Sequence, residues 1–184
     1  DEKFWTPRFP NPLGWIRSEA GEIGEALQLN QEALQLALPT RDPETIHNAE
    51  TNLGENYLQT GDLESAGEIL NQVRNRIKHK RYLYAGWRYR TRLLIALADL
   101  HGKSGEHQKS LKTVNQALRM ARKNGAAKHE ARALQVKAGI IFESRPKIAQ
   151  SCLERALEIS SEMGAQRLFK RISKTTQSLS TEVP

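Results

Sequence analysis

Leu53-Gly54-Glu55-Asn56-Tyr57-Leu58-Gln59-Thr60-Gly61-Asp62-Leu63-Glu64-Ser65-Ala66-Gly67-Glu68-Ile69-Leu70-Asn71-Gln72-Val73 is the stretch that decides the fold. Leu53, Tyr57, Leu63, Leu70 and Val73 recur at helical spacing, so one apolar stripe runs along each half. Gly61 stands between the halves, where a helix must stop and reverse and a residue without Cβ best tolerates positive φ. Asp62 follows as a cap for the second helix, with Glu64 and Glu68 near its positive end. Ala66 falls where the second helix crosses the first, and its small side chain permits close approach. The stretch reads as a helical hairpin.

The same spacing recurs outward in both directions. Leu13-Gly14, Gly21, Ala26 and Ala33 have internal steps of 8, 5 and 7. Leu53, Gly61, Ala66 and Val73 repeat those steps, as do Leu97, Gly105, Ser110 and Ala117, and Val136, Ser144, Ala149 and Ala156. The offsets between repeats are 40, 44 and 39 residues, so length varies between repeats and not inside them. The fourth repeat departs most: Ser144 replaces the turn glycine, Lys137 replaces the small residue, and Ile140 stands where Tyr57 stands. Asp42-Pro43-Glu44 reads as cap, first-turn proline and favourable acid, while Asn124-Gly125 and Met163-Gly164 read as helix ends. No alternating strand pattern interrupts the series.

These signals predict an all-α chain with helices near 11–20, 22–38, 43–59, 62–79, 82–103, 106–123, 126–143, 146–162 and 165–178. The expected architecture is an α-solenoid of about four hairpins over 10–178. Its last helix, with Leu168, Phe169 and Ile172, covers the final hairpin. An extended lead-in (1–9) and a loose Ser/Thr-rich tail (179–184) flank it.

Composition narrows the function. The 184 residues are 38% hydrophobic and 27% charged, with no apolar run long enough to span a membrane. One cysteine excludes an internal disulfide and any CxxC site. The start at Asp1 carries no signal-peptide pattern, and the expectation is a segment of a longer cytoplasmic chain. Net charge is +7 but uneven: residues 1–70 hold 13 acidic and 4 basic residues, and residues 71–184 hold 8 acidic and 24 basic. If chain order is spatial order, the acidic and basic parts lie at opposite ends, and two copies attract as a weak, salt-sensitive homodimer.

Leu53-Gly54-Glu55-Asn56-Tyr57, then Gly61, Ala66, Leu70 and Val73, resembles the tetratricopeptide repeat. The resemblance covers roughly 11–163, strongest in the second repeat and weakest in the fourth. The repeats exceed the usual length of about 34 residues. Long repeats of this kind, with Pro10-Asn11-Pro12-Leu13-Gly14-Trp15 and Trp87-Arg88-Tyr89-Arg90, resemble those in large bacterial signalling chains that join a nucleotide-hydrolysing or cyclase region to the array. The resemblance implies a non-enzymatic scaffold that binds a protein or peptide in a concave groove.

Catalytic and metal patterns do not emerge. Gly102-Lys103-Ser104 copies the end of a phosphate-binding loop, but Leu97 stands where the motif needs glycine and the tripeptide closes a helix. His47, His79, His101, His107 and His129 form no metal-like pair, and His101 and Cys152 read as packed core residues. No cofactor or metal is expected. Arg74, Arg76, Lys78, Lys80, Arg81, Arg88, Arg90 and Arg92, interleaved with Tyr82, Tyr84, Trp87 and Tyr89, form a basic strip that raises nucleic acid as an alternative. The strip matches no standard reading motif, and Trp87 shares a core stripe with Leu94, Leu97 and His101. A third reading is a ligand-sensing segment that controls an attached ATPase or cyclase.

In such arrays the first helix of each hairpin lines the groove. By helical spacing the groove stripe contains Asn48, Thr51, Asn52, Glu55 and Gln59, then Arg88, Arg92, Asp99 and Lys103. Amides beside cations suit an extended peptide, held by its backbone and acidic groups. Some proteins of this family hold a terminal carboxylate with Lys, Asn and Arg, and only Asn52 and Arg92 fall at comparable places here.

Overall fold

The computed structural model describes residues 9–78 and 86–181. Nine α-helices occupy these residues: α1 (Pro10–Ala20), α2 (Ile23–Ala37), α3 (Pro43–Thr60), α4 (Leu63–Lys78), α5 (Gly86–Lys103), α6 (His107–Lys123), α7 (Ala127–Ile141), α8 (Pro146–Glu162) and α9 (Gln166–Thr181). No strand occurs among the described residues, and the fold class is all-α, built of repeated helical hairpins. The backbone divides into two compact units, residues 1–96 and 97–184, with the division inside α5.

In the first unit α1 packs on α2, α2 on α3, and α3 on α4, with a further contact between α1 and α3. Gly21 (φ 88°) and Gly61 (φ 85°) adopt the left-handed conformation at the two reversals. An added Cβ would meet nothing there, so conformation and not space demands glycine. Asp42 caps α3 by accepting from the Glu44 and Thr45 amides at 3.4 and 3.2 Å, and Asp62 caps α4 through the Ser65 amide at 3.0 Å. The two hydrogen bonds from Ser65 hold the Asp62 carboxyl below its ordinary pKa. Leu53, Ala66, Leu70 and Val73 form the core, while Tyr57 and Leu63, expected on the same stripe, are only half-buried. Gly54 is small because Leu70 lies on it: a Cβ would come within 2.5 Å of Leu70 Cδ2.

The second unit repeats the pattern. α6 packs on α7, α7 on α8 and α8 on α9, and α9 also touches α7. Leu97, Val114, Ala117, Ala149, Leu153, Leu168 and Ile172 are buried. Gly105 (φ 77°) makes the first reversal, but at Ser144 no positive φ is used. Instead the chain turns over 142–144, with Ser144 Oγ donating to the Ile141 carbonyl at 3.3 Å, which is how the fourth hairpin reverses without glycine. Leu168 and Ile172 seat α9, as the capping expectation required.

Two boundaries differ from expectation. α9 runs to Thr181, so residues 179–181 continue a helix rather than a loose tail. Its amphipathic pattern outlasts the apolar anchors because Ser, Thr and Lys are still tolerated on a helix exposed on one side. Phe9, placed in an extended lead-in, already has helical angles (φ −86°, ψ −51°) before Pro10. Residues 1–8 and 182–184 lie outside the described residues, as do Lys80, Arg81, Tyr82 and Tyr84 of the basic strip.

Candidate functional site

The polar centre of the first unit is assembled by the first helices of its hairpins. α1 supplies Asn11, α3 supplies Glu44, Asn48, Asn52 and Glu55, and α5 supplies Tyr89 and Arg92. Asn52 is 2% exposed and donates through Nδ2 to the Asn11 carbonyl (3.3 Å), to Asn11 Oδ1, and to Asn30 Oδ1 of α2 (3.0 Å). Its own Oδ1 accepts from Arg92 Nη2. Arg92 also donates to Asn48 Oδ1 (2.9 Å) and pairs with Glu55, whose Oε1 accepts from Nε at 3.3 Å. A guanidinium has five donors in a fixed fork, and this site satisfies much of it from one side.

The expected groove residues therefore divide. Thr51, Asn52 and Glu55 are buried, and Thr51 donates to the His47 carbonyl at 2.7 Å. These three serve interior contacts, because α1 and α5 cover the α3 stripe that spacing alone left open. Asn48 is half-buried, whereas Gln59 and Arg88 are exposed; Gln59 donates to Ser18 Oγ at 2.8 Å. Asp99 and Lys103 belong to the second unit, where they face each other at 3.8 Å across one helical turn.

A pocket of about 160 Å³ opens beside this network, lined by Asn11, Pro12, Glu44, Thr45, Asn48 and Tyr89. The Tyr89 hydroxyl donates to Glu44 Oε1, which ties α5 to the start of α3. Thr45 turns its amide and hydroxyl to Asp42, so its polar atoms serve the helix cap. Sequence reasoning missed Asn11, Glu44 and Tyr89 as site residues. Asn11 lies 41 residues before Asn52, and that near-repeat offset was the available signal.

Other polar features are structural. Of the basic strip, Arg76 pairs with Glu50 at 2.5 Å and Arg92 with Glu55, and Trp87 is half-buried. Glu50 is 3% exposed, and burial pushes its carboxyl above the ordinary range despite the opposing pull of Arg76. His101 is buried with Nδ1 2.7 Å from Glu106, whose pKa is held down chiefly by its bond with Lys109. Burial raises the Cys152 thiol pKa, the opposite of what a nucleophilic thiol needs. Gly102-Lys103-Ser104 ends a helix, with the Ser104 amide on the Leu100 carbonyl at 2.9 Å. Among the described residues no cluster of three or more His, Cys, Asp or Glu is placed to hold a metal ion, and no helix is long and apolar enough to cross a membrane.

Tandem helical hairpins with a glycine reversal, a small residue at the crossing and polar first helices define a helical-repeat interaction fold. Residues 43–123 match the family model of the tetratricopeptide repeat. The repeat is non-catalytic and generally mediates protein–protein interaction. No curated protein matches the chain.

Proposed function

We propose that the chain is a non-enzymatic scaffold module that holds a protein or peptide partner along the first helices of its hairpins, as the repeat part of a larger regulatory protein. The observation that carries the reading is the convergence of Asn11, Asn48 and Tyr89 from three helices around one open pocket, with Arg92 bonded to Asn48 behind it. Buried contacts from Asn52 and Glu55 hold Arg92, which in turn donates to Asn48. A partner segment meeting such a surface binds without first ordering it, which lowers the entropic cost of association. Gln59 and Arg88 extend the surface at its exposed margin and suit main-chain and acidic groups of the partner.

Panning the chain against displayed random 12-residue peptides tests this. Peptides that bind, and that lose affinity to Asn48→Ala or Arg88→Ala, support the reading. No selected peptide, or binding indifferent to both changes, overturns it.

The charge distribution supports a second contact. Residues 97–184 hold 16 basic and 8 acidic residues, a net of +8, so this part attracts acidic protein surfaces, including the acidic first 70 residues of another copy. Such a homodimer is weak and salt-sensitive, because exposed charges are screened over roughly 8 Å at physiological ionic strength. Sedimentation at low and high salt decides it: a monomer at both rejects self-association, and a salt-insensitive dimer requires an apolar interface instead.

A further inference from the structure

The outer face of α1 is apolar and open. Phe9 at its cap, Leu13 and Ile16 are 73%, 43% and 41% exposed. The exposed Pro12 and Ala20 continue the same helical stripe, and no charged residue interrupts it. The repeat offset of 40 residues carries Phe9, Leu13 and Ile16 onto Ala49, Leu53 and Asn56 of α3, and the offset of 44 carries those onto Leu93, Leu97 and Leu100 of α5. All six of these residues are 5% exposed or less. One register is thus buried in two first helices and bare in a third. The neighbours of α1 and α3 account for the difference. α1 packs on α2 as α3 packs on α4, but α3 also packs on the helix before it, α2. Among the described residues no helix stands in that place for α1. Single apolar residues are common on surfaces, whereas a contiguous stripe in the register of an internal interface marks a contact surface.

We infer that the outer face of α1 is a docking surface for an amphipathic helix of a partner protein, apolar on one side and basic along its margin, seated on α1 as α2 is seated on α3. Continuity with the α2–α3 contact sets the shape of the occupant: a helix antiparallel to α1 that follows its 11 residues for about 16 Å. Charge selects among such helices. Residues 9–40 carry Glu19, Glu22, Glu25 and Glu32 against Arg17 alone. Arg17, next to Ile16, pairs with Glu22 at 2.6 Å and with Glu25 at 3.3 Å, so two carboxylates share one guanidinium at that end of the stripe. An antiparallel helix brings its positive N-terminal end there, and basic residues on its margin add to the attraction. A second copy that offers its own α1 brings the same acidic hairpin and is disfavoured by like charge. This surface is separate from the pocket beside Asn48 and stands without the peptide-binding reading.

The chain's own second helix supplies the probe. A labelled peptide of residues 22–38 contains α2, the helix that packs on α3. A cationic version carries Glu25→Lys and Glu32→Lys, both exposed in α2, so the packing face is kept. Fluorescence anisotropy, with the whole chain as titrant, is expected to show saturable binding of both peptides. The cationic version binds about fivefold more tightly at low salt and loses that advantage at about 1 M salt. Phe9→Ser and Ile16→Gln each weaken both peptides by about tenfold. Phe9 is the more exposed of the two, so Phe9→Ser decides the outcome if Ile16→Gln lowers the melting temperature. Met163→Ser, a comparable loss of exposed apolar surface in the second unit, leaves both affinities unchanged. Absence of saturable binding, or equal affinity of the two peptides at low salt, overturns the inference. Binding that survives Phe9→Ser, or that falls equally with Met163→Ser, places the peptide elsewhere and also overturns it. A dimer of the chain that Phe9→Ser dissociates in sedimentation gives the face to a second copy, with the same consequence.

Discussion

Arg92 donates to Oδ1 of Asn52, a residue forty positions earlier on the preceding first helix. In the second unit Gln135 of α7 donates to Thr175 of α9 at 2.8 Å, again forty positions apart. In each unit one first helix thus contacts the next through a polar residue, Asn52 just before Leu53 and Gln135 just before Val136, once with a charged partner and once with a hydroxyl. The charged version fixes the candidate site and has consequences for stability.

Arg92→Met leaves Glu55 buried beside amides without its cation. Breaking a buried pair from one side costs about 3 kcal/mol or more. The double variant Arg92→Met with Glu55→Leu is expected to recover much of that loss, because it removes the stranded charge as well. Urea unfolding of the two single variants and the double variant measures the coupling. Additive losses would show that the pair contributes nothing beyond its separate contacts.

Gly54 and Gly139 are both inside helices, but their surroundings differ. A Cβ at Gly54 would meet Leu70 Cδ2 at 2.5 Å, whereas one at Gly139 meets nothing within 4 Å. Gly54→Ala is expected to destabilise by about 1–3 kcal/mol through overpacking. Gly139→Ala is expected to stabilise by up to about 1 kcal/mol through helix propensity. Opposite signs in thermal unfolding support the packing of α3 on α4, and a stabilised Gly54→Ala would contradict it.

Glu50 gives the pH dependence. Its folded pKa is raised by burial, so the folded state binds the proton more tightly than the unfolded chain. Its contribution to stability is fully present below the unfolded carboxylate value and is lost as pH rises through the folded one. Glu50→Gln retains an acceptor for Arg76 and cannot ionise. Stability of this variant relative to the parent is therefore expected to improve as pH rises from 4 to 7. A relative stability that moves the other way would mean that Arg76 outweighs burial.

Asp42→Ala removes the side chain that accepts from the Glu44 and Thr45 amides. A lost N-cap costs about 1 kcal/mol. Asp42→Ser restores an accepting side chain without the charge and is expected to recover most of that loss in thermal unfolding. An Asp42→Ser variant no more stable than Asp42→Ala would contradict the cap.

The hairpin series was legible because its signals are local. Gly21, Gly61 and Gly105 mark reversals through backbone conformation alone, and Ala26, Ala66 and Ala149 mark crossings through size alone. Spacing placed Asn48, Asn52 and Arg92 on facing first helices, and the hydrogen bonds join them. It did not show that Thr51, Asn52 and Glu55 are buried, because burial depends on which neighbouring helix covers a stripe, not on the stripe itself. Tyr57 fell on the apolar stripe but is only half-buried, since the margin of a stripe lies outside the packed contact.

The sequence by itself determined the all-α class, the hairpin spacing and nearly every helix boundary, because helix starts, stops and crossings are set by residues within one or two turns of each other. Only the tertiary structure decided which polar residues meet: Asn11 with Asn52, Glu44 with Tyr89, and Arg92 with Glu55, partners separated by 41, 45 and 37 positions. Rotation of one helix about its axis by a single residue, about 100° on a helix of 3.6 residues per turn, would part each of these pairs while leaving every local signal intact. What fixes that rotation is the fit of side chains such as Leu70 over Gly54, a property of two surfaces packed together.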